Sequence, residues 1–498
     1  MRFTPLLAAL LLLVPPFAAQ AQPVPPAASL PASARDAALL ERVEALLAKA
    51  PAGTRFGLLV EAAAGRTVLA IAPDQRFIPA SNTKIVTTVA AYANLAALQA
   101  AARGTGVRIE PAGGAAVDVV LEGRGDAGLS SAPDCARNCL AALAQAVASS
   151  VQAVRNVVGD DSWYPDERWS PGMSWNNIPT RSGTGISALS IDDNETALQV
   201  APAAVGHPPA VTGNGYYSVR NRALTVPGAG SELAVARMPG AGEVELSGTI
   251  GSDAAPATLR LGIDDPARYA AWRLRALLEA RGVRVGGRVE SRHRPLSPAD
   301  DPARRGGTPA MHPPEEAMLA QLAPQDIAAD IVTINKVSQN VHAELLLRRI
   351  ARLSGSGSLA DGQAAVAAML AQAGVPEGAV TLSDGSGMSS YNRITPRAAV
   401  ALLRWIATRP WGEAWRATLP VGGVDGTLAR RFGGTALEGR VFAKTGSLNA
   451  SRALSGYLTV ASGETLVFSA FANDIPPGGD GAAMAALDAA LLAIAAAN

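Results

Sequence analysis

The sequence predicts an α+β (or α/β) architecture: one antiparallel sheet flanked by helices, split by a large β-rich insertion. Three observations carry this. Two apolar β-like runs near the N-terminus, at 56–71, surround a Gly-bearing turn and are bracketed by helical patterns. A second pair of strand-like runs, 454–460 and 464–472, stands near the C-terminus and leads into an Ala/Leu helix at 481–496. Between them, from about 100 to 305, the texture turns to Gly, Pro, Asp and short β runs. If the hairpin and the late strands share one sheet, the middle block is an insertion between two halves of one domain.

The elements follow in order. Met1 and Arg2 precede an apolar run from Leu6 to Val14, and Ala19-Gln20-Ala21 is a small-x-small cleavage site. This pattern reads as a secretory signal peptide, 1–21, cut after Ala21. The run is too short to span a bilayer, which takes about 20 apolar residues, and no other stretch reads as a span. The mature chain is therefore expected to be soluble or only peripherally membrane-associated. Residues 22–35 are rich in Pro and Ala and read as disordered. Helical spacing follows at 36–50 and again from Asn82 to about Leu98. Within the β-rich block the runs 117–121, 197–200, 216–219 and 244–246 alternate with turn residues, and 264–282 is an amphipathic helix stopped by Gly282. Residues 299–314 read as a linker. Helices return at 325–352, as one or two, then at 361–374 and 395–408, the last opened by Thr395-Pro396. The expected domains are a catalytic domain from 36–99 and 306–498 around an insertion at 100–305. Within the insertion, 100–200 plus 256–305 can form one unit with 201–255 nested in it.

Composition excludes some functions. Basic residues number 43 against 42 acidic ones, so the surplus that polyanion binding needs is missing. Aromatics are 4%, too few for a stacking surface on single strands. No nucleic-acid partner is expected. The two cysteines, Cys135 and Cys139, lack flanking His and make a poor zinc site. In an exported protein they are expected to pair as a local structural disulfide.

Only four lysines occur: Lys49, Lys84, Lys336 and Lys444. Lysine can lose its proton where arginine cannot, so a lysine in an arginine-rich chain draws attention. Ser81-Asn82-Thr83-Lys84 sets a hydroxyl and an amine at i and i+3 on one face of a helix start. There a desolvated lysine could take the serine proton, and free helix N–H groups could meet an oxyanion. The plain alternative is that Ser81 only caps the helix. Ser338-Gln339-Asn340 pairs a hydroxyl with an amide, and alone reads as a polar helix surface. Lys444-Thr445-Gly446-Ser447 ends a strand-like run; Gly446 lets a ligand approach, while Lys444 and Thr445 suit a substrate carboxylate. Alone it is a strand end with a turn. No G-x-S-x-G elbow and no H-E-x-x-H motif is present, and His342 reads as a helix-surface residue.

Together, S-x-x-K, S-x-N and K-T-G in this order form the signature of serine penicillin-recognising enzymes. The chain resembles the D-alanyl-D-alanine carboxypeptidase/endopeptidase family, the class C low-molecular-mass penicillin-binding proteins (peptidase family S13). The likeness includes Gly123-Arg124-Gly125-Asp126, Gly159-Asp160-Asp161-Ser162, Ser187-Ala188-Leu189-Ser190, Asp384-Gly385-Ser386-Gly387-Met388-Ser389 with Asn392, and Gly423-Val424-Asp425-Gly426-Thr427-Leu428. The resemblance implies a serine β-lactamase/transpeptidase-like catalytic domain with one or two inserted domains. It implies acyl transfer from peptidoglycan stem peptides ending in D-Ala-D-Ala, in the periplasm, with β-lactams as covalent inhibitors. Ser81 would be the nucleophile and Lys84 the general base. Ser338 and Lys444 would serve the leaving amine, Asn340 the substrate amide. Thr445, Gly446 and Ser447 would line the carboxylate site, with the N–H groups of Ser81 and Ser447 as oxyanion hole. Asp160 and Asn449 would face a diamino acid side chain; at Ser390 some relatives carry Arg. The Asp384–Gly387 run reads as support more than chemistry. No metal or organic cofactor is implied. The competing readings are a serine β-lactamase or esterase on the same scaffold, and a noncatalytic β-lactam- or wall-binding protein.

Overall fold

The computed structural model describes residues 34–498. The expected signal peptide and nearly all of the 22–35 segment lie outside the described residues. Helix α1 (Ala34–Leu47) leads into the hairpin β1 (Arg55–Ala62) and β2 (Thr67–Ile71). A single 3-10 turn, Ala80–Asn82, then runs into α2 (Thr83–Ala93), followed by α3 (Leu95–Ala101). The sequence suggested one helix over 82–98. It breaks at Asn94, whose side-chain amide donates to the Ala90 carbonyl at 2.9 Å and so competes with the helical ladder.

The inserted block opens with β3 (Gly106–Pro111), β4 (Val117–Glu122), α4 (Leu140–Ala148) and β5 (Val157–Pro165). The disulfide Cys135–Cys139 closes the turn just before α4. A run of short strands follows: β6 (Glu195–Ala201), β7 (Ala210–Gly213), β8 (Ser218–Asn221), β9 (Leu224–Val226), β10 (Ser231–Ala236), β11 (Glu243–Gly251) and β12 (Ala257–Gly262). They make two small sheets around Val200, Leu246 and Ile250 on one side and Leu198, Val244 and Leu261 on the other. Helix α5 (Pro266–Glu279) and β13 (Val289–Arg294) return to the first part of the block. There β13, β5, β4 and β3 form one sheet, and α4 and α5 pack on it through Leu140, Leu143, Ala270 and Leu274. The edge of that sheet comes from Ala320–Gln321, which pairs with β3.

The remaining chain supplies α6 (Ile327–Lys336), α7 (Asn340–Arg352), α8 (Leu359–Gln372), α9 (Pro396–Ala407), β14 (Val441–Leu448), β15 (Ser451–Thr459), β16 (Thr465–Asn473) and α10 (Asp480–Ala497). The hairpin and the late strands do share one antiparallel sheet, in the order β14-β15-β16-β1-β2. Alternation along β1 sorts its side chains between two cores. Leu59 joins Val86, Val89, Leu346 and Leu403 under the helical layer of α2, α7 and α9. Leu58 and Val60 join Val43, Leu487 and Leu491 of α1 and α10 on the other face. Each such fully buried side chain contributes about 1.5–3 kcal/mol. Helix α10 is long and apolar enough to cross a membrane, contrary to the sequence reading that no stretch of the chain is. Its apolar side chains Leu487, Leu491 and Ile494 are instead buried in this core.

Candidate active site

The site forms where α2, the start of α7 and the end of β14 meet. Ala80 has a left-handed φ of 47°, a conformation that costs an L-residue about 1–2 kcal/mol, and it turns the chain so that Ser81 stands ahead of α2. Asn82, buried beneath, donates from Nδ2 to the Lys444 carbonyl at 2.8 Å and ties this turn to β14. Gly446 completes the fit, since a Cβ there would lie 2.4 Å from the Pro79 carbonyl oxygen. The sequence reading gave Gly446 to close approach by a ligand. The close approach observed is by the chain at Pro79–Ala80 itself.

Lys84 lies one helical turn after Ser81 and is fully buried. Its Nζ donates to Ser81 Oγ at 2.9 Å, Asn340 Oδ1 at 2.7 Å and the Ser386 carbonyl at 2.6 Å. Burial pushes its pKa down to about 7, against the opposing charges of Asp384 and Glu344. A neutral amine has two N–H groups and one lone pair. Asn340 and Ser386 offer carbonyl acceptors for both N–H groups, so the lone pair is left for the Ser81 hydroxyl. Asn340 is itself held from the other side, its Nδ2 donating to the Ser182 carbonyl at 3.1 Å.

Of the one or two helices expected over 325–352, the structure has two. They part at Val337–Gln339, where Ser338 takes a left-handed φ of 63° and Gln339 caps α7 by accepting from the Val341 N–H. This break lets Ser338 face Lys444, whose Nζ donates to Ser338 Oγ at 2.9 Å and to the Thr445 carbonyl at 3.2 Å. Lys444 is fully buried, and burial together with the charge of Lys84 holds its pKa well below the ordinary lysine value. Along β14, Thr445 donates its hydroxyl to Thr427 Oγ1 at 2.8 Å, Ser447 is exposed, and Asn449 is exposed at the turn that follows.

The structure thus gathers Ser81, Lys84, Ser338, Asn340 and Lys444, with Thr445, Gly446 and Ser447 on the adjoining strand. Among the described residues no hydrogen bond joins Asp160 to this group. Asp160 sits on β5, is buried, and its Oδ2 faces Arg292 at 3.1 Å and Arg108 at 3.5 Å. Its charge is spent on two arginines of the inserted sheet, whose places far along the chain no local pattern reveals. His342 is likewise not a surface residue. It is buried between Asp330, at 2.5 Å from Nδ1, and Asp193, at 3.0 Å from Nε2, and these contacts raise its pKa to about 9 against the effect of burial.

Sequence reasoning missed three contributors. The Ser386 and Ser182 carbonyls act through the backbone, which leaves no side-chain signature. Glu344 accepts the N–H groups of Gly385 and Ser386 at 2.9 and 2.8 Å and so holds the loop that faces Lys84. It lies one turn from Asn340 on α7, a spacing that could have flagged it. Asp384 fixes the same loop by accepting from the Gly387 N–H at 2.8 Å and Asn392 Nδ2 at 2.7 Å. Gly387 must stay small there, because a Cβ would lie 1.9 Å from the Ala80 carbonyl oxygen. Among the described residues no group of three or more His, Cys, Asp or Glu is placed to hold a metal ion.

Comparison with known proteins gives the family and the fold. The model of the D-Ala-D-Ala carboxypeptidase 3 (S13) family matches residues 39–494. The chain is 34% identical over 471 residues to the D-alanyl-D-alanine carboxypeptidase of Actinomadura sp. (strain R39), covering 90% of this chain and 83% of that one. It is 28% identical over 238 residues to the D-alanyl-D-alanine carboxypeptidase DacB of Haemophilus influenzae, covering 47% and 46%. The crystal structure of penicillin binding protein 4 (dacB) from H. influenzae superposes with a TM-score of 0.73 at 22% identity, over 90% of this chain and 98% of that one. The same protein complexed with a β-lactam gives a TM-score of 0.68.

Proposed function

Because the chain belongs to the D-Ala-D-Ala carboxypeptidase 3 (S13) family, we propose that it is an exported serine-type D-Ala-D-Ala carboxypeptidase that also cleaves peptidoglycan cross-links. The observation that carries the mechanism is Lys84 Nζ, 2.9 Å from Ser81 Oγ, with acceptors for its other hydrogens. Ser81 Oγ attacks the carbonyl of the penultimate D-Ala while Lys84 takes its proton. The N–H groups of Ser81 and Ser447 receive the oxyanion. The C–N bond breaks, and Ser338, backed by Lys444, gives its proton to the departing amine and regains one from the Lys84 ammonium, which returns Lys84 to its neutral form. Asn340 steadies the substrate amide, and Thr445 and Ser447 meet the terminal carboxylate beside Lys444. Asn449 faces the side chain of the diamino acid that precedes the two D-Ala residues. Asp160 has no part in this reading, since its carboxylate is already paired. Water then hydrolyses the Ser81 ester. A β-lactam acylates the same hydroxyl and leaves slowly.

The test is mass spectrometry of peptidoglycan fragments after incubation with the mature protein. Loss of one terminal alanine supports the carboxypeptidase, and loss of cross-linked dimers adds the endopeptidase. Unchanged fragments, with fast turnover of a β-lactam, would instead favour a β-lactamase.

A further inference from the structure

A second charged cavity lies at the junction between the inserted block and the catalytic unit. It encloses about 210 Å³ and is lined by Arg103, Arg124, Arg349 and Arg352 around Trp163, with Glu315 as the one acidic lining residue. Arg349 and Arg352 stand on the last turn of α7, one face of the helix. Asn340, at the other end of α7, touches Lys84, and Arg349 and Arg352 stand about 14–18 Å further along the helix at 1.5 Å per residue.

The guanidinium groups here carry more donors than the protein satisfies. The Arg124 side chain is 2% exposed, and only its Nη2 has a close partner, Glu122 at 2.7 Å. Its Nε and Nη1 have no hydrogen-bond partner, and Glu315 is 3.9 Å away. Arg349 donates from Nη2 to Gln325 at 3.3 Å, while its Nη1 stands 3.6 Å from Asp330 without a hydrogen bond. Arg352 donates to the Trp163 carbonyl at 3.2 Å. Arg124 and Arg352 both lie over the Trp163 ring, 4.0 and 3.5 Å from its centroid. Two cations on one ring repel, and buried unpaired donors are costly. Burial, with Tyr164 opposing and the charge of Arg124 adding, pushes the pKa of Arg352 down to about 10.

We propose that this junction is a binding site for a phosphate-type oxyanion held between Arg124, Arg349 and Arg352. The donors arrive from two directions, the end of β4 and the face of α7. A tetrahedral anion offers acceptors along both, where a planar carboxylate serves one fork. The bound anion pins the inserted block to the catalytic unit.

The test titrates the mature protein with inorganic phosphate and, separately, with glycerol phosphate, at constant ionic strength in chloride. The readouts are calorimetric binding and the thermal unfolding midpoint. Saturable binding is expected, with the midpoint raised by about 3 °C or more at a hundredfold excess over Kd. Binding of both probes supports a site for the bare ion; binding of glycerol phosphate alone supports a site for a phosphate monoester. Arg352→Gln and Arg349→Gln, each checked for folding by circular dichroism, should lower affinity at least tenfold and leave penicillin acylation of Ser81 unchanged. Two variants guard against one that fails to fold. Absence of saturable binding by either probe, or binding that survives in both variants, would overturn the proposal.

Discussion

If Lys84 is the base, its proton must leave before Ser81 can react, and acylation must follow the titration of that amine. With a pKa of about 7, the neutral fraction is roughly one half at pH 7, roughly 1% at pH 5 and roughly 90% at pH 8. The sign follows from burial: the charged form is disfavoured, so the reactive form dominates above the midpoint and is lost below it. The second-order rate of acylation by a fluorescent penicillin, followed by stopped flow, should fall about 50-fold from pH 7 to pH 5 and rise only about twofold from pH 7 to pH 9. The charge of Glu344 raises the Lys84 pKa, so Glu344→Gln should move the midpoint down. The amide oxygen can still accept from Gly385 and Ser386, which keeps the loop in place. A rate flat between pH 5 and pH 7, a midpoint near that of free lysine, or an upward move in Glu344→Gln would refute the reasoning.

Further outcomes follow from the same geometry. Lys84→Arg should acylate roughly 10²–10⁴-fold more slowly at every pH, because a guanidinium keeps its proton; the stopped-flow assay reads this directly. Gly446→Ala forces a Cβ to within 2.4 Å of the Pro79 carbonyl oxygen, so β14 and the Ala80–Asn82 turn must separate. Urea unfolding should show a loss of about 1–3 kcal/mol, and acylation should slow at least tenfold. Replacing Cys135 and Cys139 together by Ser removes the bond that closes the turn before α4. By loop entropy this costs about 2 kcal/mol in urea unfolding under oxidising conditions, with acylation unchanged.

What the sequence could reveal depended on how local the cause was. Ser81 and Lys84 meet because a helix start sets them one turn apart, and three residues suffice to read that. The shared sheet was legible because hairpin and late strands each carry their own apolar pattern and turn. Convergence was legible only through the order of three motifs, since Asn340 reaches Lys84 across 256 positions and Asn82 reaches the Lys444 carbonyl across 362. The break at Asn94 escaped periodicity, because the stretch keeps helical spacing through the interruption, and for the same reason spacing alone left open whether 325–352 is one helix or two. Asp160 looked available because its two arginine partners, Arg108 and Arg292, lie on strands that only folding brings alongside. His342 looked like a surface residue for the same reason, its partner Asp193 being contributed by the inserted block.

In the proposed reaction the hydroxyl of Ser81, next to a neutral amine, is the group that becomes acylated. Benzylpenicillin added to the mature protein, followed by trypsin digestion and fragmentation mass spectrometry, tests this most directly. One penicilloyl group is expected, on Ser81 in the peptide 77–84, and none in Ser81→Ala. An adduct on any other residue, or one that persists in Ser81→Ala, would contradict it.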